Sequence, residues 1–305
     1  MAGTRYRVWI FRILAAVSAS AVVWVAWLWF CAPRTVSQMP APSGHPTSWA
    51  SAEWAHIPAD GERCTLANNV WNSHSAGEAF EQEIFVEQLA GKRTLGWRWH
   101  SPWQMRSAVV SYPELICGNK PWDEPIGFFK GLPFHPGDRQ MSADYNILLR
   151  ASGNYNMAFE MWAVSALPPS PRNLRAEIMI WIANSAQQPA GTLRGTVTIG
   201  GVPYDLFVNE HQEDASGMSG QPWTYAAFVA RSPQLNGPLN LTAFLDELQR
   251  RGVVTHDLWV TNVELGNEVS TGSGIAEIQD FSLHLSDAGQ PAPTERSMLD
   301  LPGRP

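Results

Sequence analysis

Hydrophobic and polar positions alternate through most of the chain's interior. Over Tyr155 to Val164, Met157, Phe159 and Met161 point one way, and Asn156, Glu160 and Trp162 the other. Ala176 to Ile182 repeats this, with Ile178, Ile180 and Ile182 on one face and Glu177, Met179 and Trp181 on the reverse. A period of two over such runs predicts half-buried β-strands. Thr196 to Ile199 and Val202 to Phe207 flank Gly200-Gly201, a pair suited to a tight hairpin. Leu258 to Leu265 and Ile275 to Leu285 are further strands. One segment has helical period instead. Leu241, Phe244, Leu245 and Leu248 form a stripe from about Leu241 to Arg251, with Asn240 or Thr242 to cap it and Gly252 to end it. Many strands with one short helix predict an all-β sandwich of two antiparallel sheets.

The two ends follow other patterns. Arg5, Arg7 and Arg12 precede an apolar run from Ile13 to Ala32. About 20 apolar residues rising 1.5 Å each can cross a hydrocarbon core of roughly 30 Å. The run ends in Leu28-Trp29-Phe30-Cys31, bulky where a signal peptidase needs small residues. Residues 1–32 are therefore expected to be an uncleaved signal anchor, with the arginines cytoplasmic and the remainder exported from the inner membrane. A long cleaved signal, and so free secretion, is the alternative. Residues 33–59, rich in Pro, Ala and Ser, read as a linker, and residues 286–305 as a disordered tail. Between them, residues 60–285 form one block without an internal repeat.

Composition narrows the function. There are 21 basic and 28 acidic residues, a net charge of −7, which disfavours a phosphate-binding groove and hence a nucleic-acid partner. Fifteen Trp against 12 Phe is an unusual ratio. Indole is large, flat and carries an N–H, so an excess suits either a packed sandwich core or a surface for flat ligands such as sugars. Cys64 and Cys117 fall in the exported part, where a disulfide between them is permitted. No Cys or His spacing suggests zinc, and neither a metal nor an organic cofactor is expected.

The candidate chemistry lies on the strands. Glu177 shares a face with Met179 and Trp181, and Glu160 has Trp162 beside it. A lone strand carboxylate is more often simply solvated, but large apolar neighbours fit a lined groove better than a wet surface. Two carboxyls in such a groove are what glycoside hydrolysis requires, one to attack the anomeric carbon and one to protonate the leaving oxygen. Glu264 precedes the break at Gly266 and is expected to point elsewhere.

Five segments then occur in a telling order. They are Asn68-Asn69-Val70-Trp71-Asn72; Ser111-Tyr112-Pro113-Glu114 leading to Gly118-Asn119-Lys120-Pro121-Trp122; Ala158-Phe159-Glu160-Met161-Trp162; Glu177-Ile178-Met179-Ile180-Trp181; and Gly266-Asn267-Glu268-Val269-Ser270-Thr271-Gly272. From about Cys64 to Leu285 the chain resembles glycoside hydrolase family 12, endo-β-1,4-glucanases and xyloglucanases with a β-jelly-roll fold. The resemblance implies Glu177 as nucleophile and Glu268 as acid/base. It implies Asn69, Trp71, Trp122, Met179 and Trp181 as glucan-binding residues, and residues 184–194 as a segment crossing the cleft. Glu160 falls where the family usually has an Asp that assists the nucleophile, one methylene shorter. The family's usual disulfide partner for Cys64 is missing from Phe80 to Phe85, so that staple is absent or replaced by Cys64–Cys117. The implied activity is endo-acting, retaining cleavage of a β-glucan by a monomer. The competing expectations are a non-catalytic glucan-binding module and a xyloglucan-specific hydrolase or transglycosylase.

Overall fold

The computed structural model describes residues 39–60, 63–76, 79–102, 108–122, 129–213 and 218–289. In chain order the strands are β1 (His45–Ala50), β2 (His56–Asp60), β3 (Cys64–Ala67), β4 (Glu81–Leu89), β5 (Lys92–Ser101), β6 (Glu114–Gly118) and β7 (Arg139–Val164). They continue with β8 (Leu174–Ser185), β9 (Thr192–Ile199), β10 (Val202–Gln212), β11 (Trp223–Ala230), β12 (Asn236–Asn240), β13 (Trp259–Val260), β14 (Asn262–Gly266) and β15 (Val269–Asp287).

Strand β7 organises the molecule. Its first half, to Tyr155, pairs with β15 on one side and, near its start, with β12 on the other. Its second half pairs with β14 and β8. The first half thus belongs to a sheet ordered β1-β4-β5-β15-β7. The second half lies in a sheet running β2-β3-β6-β14-β7-β8-β11-β10-β9. The changeover comes at Gly153, which sits opposite Gly272. Both have positive φ, and a Cβ on Gly153 would lie 2.2 Å from the Thr271 carbonyl oxygen, so the close crossing needs glycine.

Side chains between the sheets form the core. Phe159 of β7 stacks on Phe281 of β15 and meets Tyr145 edge-on. Met157, Phe159, Met161, Ile178, Ile180 and Ile182 are all in that core, the face their alternation predicts. The Gly200-Gly201 hairpin joins β9 to β10, with Ile199 opposite Val202 and positive φ at both glycines. The expected helix is α2 (Leu241–Arg250), preceded by a one-turn α1 (Ser73–Ala76). Asn240 caps α2 by accepting from the Ala243 N–H. Its stripe of Leu241, Phe244, Leu245 and Leu248 is buried, with Phe244 edge-on to Tyr204 and Phe228.

Several expectations need correction. The sheets are not wholly antiparallel, because β11 runs parallel to β8, with Tyr225 opposite Glu177. The long path through β9 and β10 between them is what permits a parallel neighbour. The helix is not alone either, given α1 and a 3-10 turn at Pro171–Asn173. Residues 39–59 do not behave as a linker. There, β1 extends the sheet at β4 and β2 pairs with β3, while Arg98 and Arg150 hold the carbonyls of Pro40 and Ala41. A sheet edge offers unpaired backbone groups that even a Pro- and Ser-rich segment can satisfy. The tail begins later than expected, since Ser286 and Asp287 still pair with Gln140 and Arg139. The expected membrane anchor, residues 1–32, and most of the tail lie outside the described residues. Among the described residues no helix is long and apolar enough to cross a membrane.

Candidate active site

Strand registers bring the candidate residues together. Across the second sheet, Ile116, Glu264, Glu160, Met179 and Ala227 form one row of cross-strand neighbours. The next row carries Trp162, Glu177 and Tyr225. On the other side lies the row Glu114, Gly266, Ala158, Trp181 and Val229. The residues between these positions, such as Phe159, Ile178, Val263 and Leu265, point into the core, so all three rows occupy the opposite, site-bearing face.

Among the described residues five glutamates serve this face, and exposure divides them. Glu114, Glu160 and Glu264 are buried, whereas Glu177 and Glu268 are only half-buried and reach the open side. Glu268 stands in the turn between β14 and β15. Fully buried Asn156 fixes it from three directions. The Asn156 amide donates to Glu268 Oε2 and its Oδ1 accepts the Glu268 N–H at 2.9 Å, while the Asn156 N–H donates to the Glu268 carbonyl at 3.2 Å. Glu177 Oε2 accepts the indole N–H of Trp223 at 2.8 Å.

Burial is the main influence on both carboxyls. It pushes Glu177 up to about 8 against the lowering effect of the Trp223 N–H, and the Glu268 charge raises it further. It pushes Glu268 up to about 7, opposed by the Asn156 amide. Two carboxyls that feel one another lose their protons in two steps that belong to the pair, so these steps fall around neutrality. Glu160 is raised well above the ordinary range by burial and then by the Glu177 charge, which keeps it toward its neutral acid form. Tyr225 stands directly opposite Glu177 on the neighbouring strand, and its phenol is raised by burial and then by the Glu268, Glu177 and Glu160 charges.

The remaining candidates are distributed around this centre. Met179 and Trp181 are on the site face but only 1% exposed, packed with Tyr112, Ala158, Tyr225 and Ala227. Ala190 packs against that group, so the segment after β8 does lie over this face. Its Gln187 accepts from Ser270 Oγ at 3.0 Å, near Glu268 in the chain. Asn69 donates to Glu114 at 2.8 Å, and Trp71 beyond it is 45% exposed. Trp122, Trp162 and Trp223 meet pairwise edge-on, 5.8 to 6.3 Å between ring centres, at the Glu177 end. Trp97 and Trp99 are fully buried core residues. Cys64 and Cys117 form a disulfide between directly opposed positions of β3 and β6. Glu264 departs from expectation. It faces Glu160 and accepts from Trp162 Nε1 at 3.0 Å and from Asn262.

Sequence reasoning missed Trp223, Tyr225 and Asn156. The alternation Trp223, Tyr225, Ala227 against Ala226 and Phe228 was available as a signal for the first two. For Asn156 the alternation gave its face, shared with Glu160 and Trp162, but not its partner, which lies more than a hundred positions away.

Comparison with known proteins decides the family. The model of glycosyl hydrolase family 12 matches residues 62–286. The chain belongs to that family. The family 12 domain is 28% identical over 228 residues to endoglucanase S of Pectobacterium parmentieri, an alignment spanning 72% of this chain and 81% of that protein. It is 24% identical over 227 residues to the xyloglucan-specific endo-β-1,4-glucanase A of Emericella nidulans, covering 72% of this chain and 84% of the other. Among solved structures, the family 12 xyloglucanase of Bacillus licheniformis superposes with a TM-score of 0.71 at 25% identity. That match covers 78% of this chain and all of the other.

Proposed function

We propose that this family 12 glycoside hydrolase cleaves internal β-1,4-glucosidic bonds of a β-glucan by retaining double displacement, with Glu177 as nucleophile and Glu268 as acid/base. The observation that carries the proposal is that, of five glutamates on this face among the described residues, only Glu177 and Glu268 are half-open, each carboxyl with its own positioning donor. As a family 12 endo-β-1,4-glucanase it hydrolyses β-glucan. The ionised Glu177 attacks the anomeric carbon while Glu268 gives its proton to the departing glycosidic oxygen. The bond to the leaving chain breaks as an ester to Glu177 forms. Esterification removes the charge on Glu177, so Glu268, now the anion, takes a proton from water. The resulting hydroxide oxygen attacks the same carbon and releases Glu177. Glu160, held neutral, suits an assisting role beside the nucleophile, although among the described residues no hydrogen bond links it to Glu177. Exposed Trp71 and the Trp122 cluster are proposed sugar contacts on either side of the cut.

The disulfide and the family support a location outside the cytoplasm. We propose that the apolar run of residues 13–32 anchors it in the membrane.

Azide rescue tests the roles. Glu177→Ala and Glu268→Ala should each abolish hydrolysis of β-glucan, and azide should restore cleavage of an activated aryl β-cellobioside by both. The Glu177 variant should yield the α-glycosyl azide and the Glu268 variant the β-glycosyl azide. Exchanged products, or less than about tenfold loss in either variant, would overturn the assignment.

A further inference from the structure

Beside the reacting pair lies a buried charge cluster to which the mechanism above assigns no task. Lys120, 4% exposed, places its ammonium 2.8 Å from Glu114 Oε1 and 3.3 Å from Glu264 Oε2. Both carboxylates are fully buried and separately held, Glu114 by Asn69 and Glu264 by Trp162 and Asn262. Glu264 is directly opposite Glu160, and Glu160 directly opposite Met179, two residues along β8 from Glu177. Strands about 4.8 Å apart therefore make a short path from the ammonium to the nucleophile.

We propose that Lys120 is a positioning residue for the reaction: its ammonium, held between Glu114 and Glu264, sets the charge balance of the site face so that Glu177 meets the glucan as an anion. This rests on the assignment of Glu177 as nucleophile. Among the described residues five carboxyls line or adjoin this face, namely Glu114 on β6, Glu160 on β7, Glu177 on β8, Glu264 on β14 and Glu268 after it. Tyr112 and Tyr225 add two phenols. Burial raises Glu114, Glu160 and Glu177 alike, and in each the Lys120 charge acts in the opposite direction. A cation among several buried carboxyls decides which of them can afford to ionise. Lys120 thus works through Glu160 and Glu177 without touching sugar.

The test is the pH dependence of kcat/KM for Lys120→Met, Lys120→Arg and Glu264→Gln on a soluble β-glucan. Lys120→Met should move the acid limb upward by about one pH unit or more and keep the plateau above it within a few-fold of the parent. Lys120→Arg, which retains the charge, should leave the limb in place. Glu264→Gln removes a negative charge from the same face and should move the limb downward, which keeps the test decisive if Lys120→Met fails to fold. A limb unmoved in Lys120→Met, or in Glu264→Gln where only that variant folds, overturns the proposal. So does a uniform loss at every pH. Labelling the parent with a 2-deoxy-2-fluoro cellobioside that esterifies the nucleophile separates the two readings. A label away from Glu177 overturns the assignment on which this rests, whereas a label on Glu177 with an unmoved limb overturns only the role of Lys120.

Discussion

Trp223 donates its indole N–H to Glu177 from a neighbouring parallel strand, two residues before the Tyr225 that faces Glu177 directly. That donor favours the carboxylate over the acid. Its loss in Trp223→Phe should raise the step in which Glu177 ionises and shift the acid limb of kcat/KM to higher pH. Because burial lifts both carboxyls, parent activity should peak around neutral pH. A kcat/KM profile of parent and variant measures both effects. An optimum near pH 4, or a limb unmoved in Trp223→Phe, would contradict them.

Asn156 is tied to Glu268 by three hydrogen bonds, two of them through its side chain. Asn156→Ala would leave the Glu268 N–H without its partner and the acid/base free to turn. The expected cost is about 1–3 kcal/mol of stability. Activity on β-glucan should fall much more than activity on an aryl glycoside whose leaving group needs no proton. Equal losses on the two substrates would mean that Asn156 supports the fold and not the proton transfer.

Much of this site was legible before any coordinates. The alternation in residues 155–164 and 176–182 sorted core from site face correctly, because each strand has one wall of large apolar side chains. The glycine pair and the capped stripe of α2 were legible for the same local reason. Longer-range features were not. The first half of β7 is broken by Gly153 and polar residues, so its continuity comes from its partners, β15 along its length and β12 near its start. The Pro- and Ser-rich segment before β2 becomes a strand because the edge of β4 is there to receive it. From its place before Gly266, Glu264 is expected to point away from the site. Its burial follows from Lys120, in the loop after β6, and Trp162, on β7, which reach it from separate parts of the chain.

The Cys64–Cys117 disulfide closes a loop of 53 residues between paired strands. Replacing both cysteines by Ala should cost about 2–4 kcal/mol, read as a lower midpoint in urea. An unchanged midpoint would show that β3 and β6 hold without the crosslink.

On the other sheet, Glu87 and Glu277 are both fully buried. They receive the N–H groups of Gly44 and Ser43, at 2.7 and 2.5 Å. Burial raises Glu87, opposed by the Gly44 N–H, and the Glu277 charge raises it further. A carboxyl raised in the folded state contributes most while protonated, and that contribution is lost as pH climbs through its folded value. Stability of the parent should therefore decline as pH rises above the ordinary carboxylate range, and Glu87→Gln should flatten the decline. Melting temperature against pH checks this, and identical slopes in the two proteins would contradict it.

The configuration of newly made reducing ends tests the whole account most directly. Proton NMR during the first minutes of hydrolysis of a cello-oligosaccharide should show the β-anomer ahead of its equilibrium share, relaxing later to the mixture. Initial accumulation of the α-anomer would mean a single displacement, and Glu177 could not then be a nucleophile.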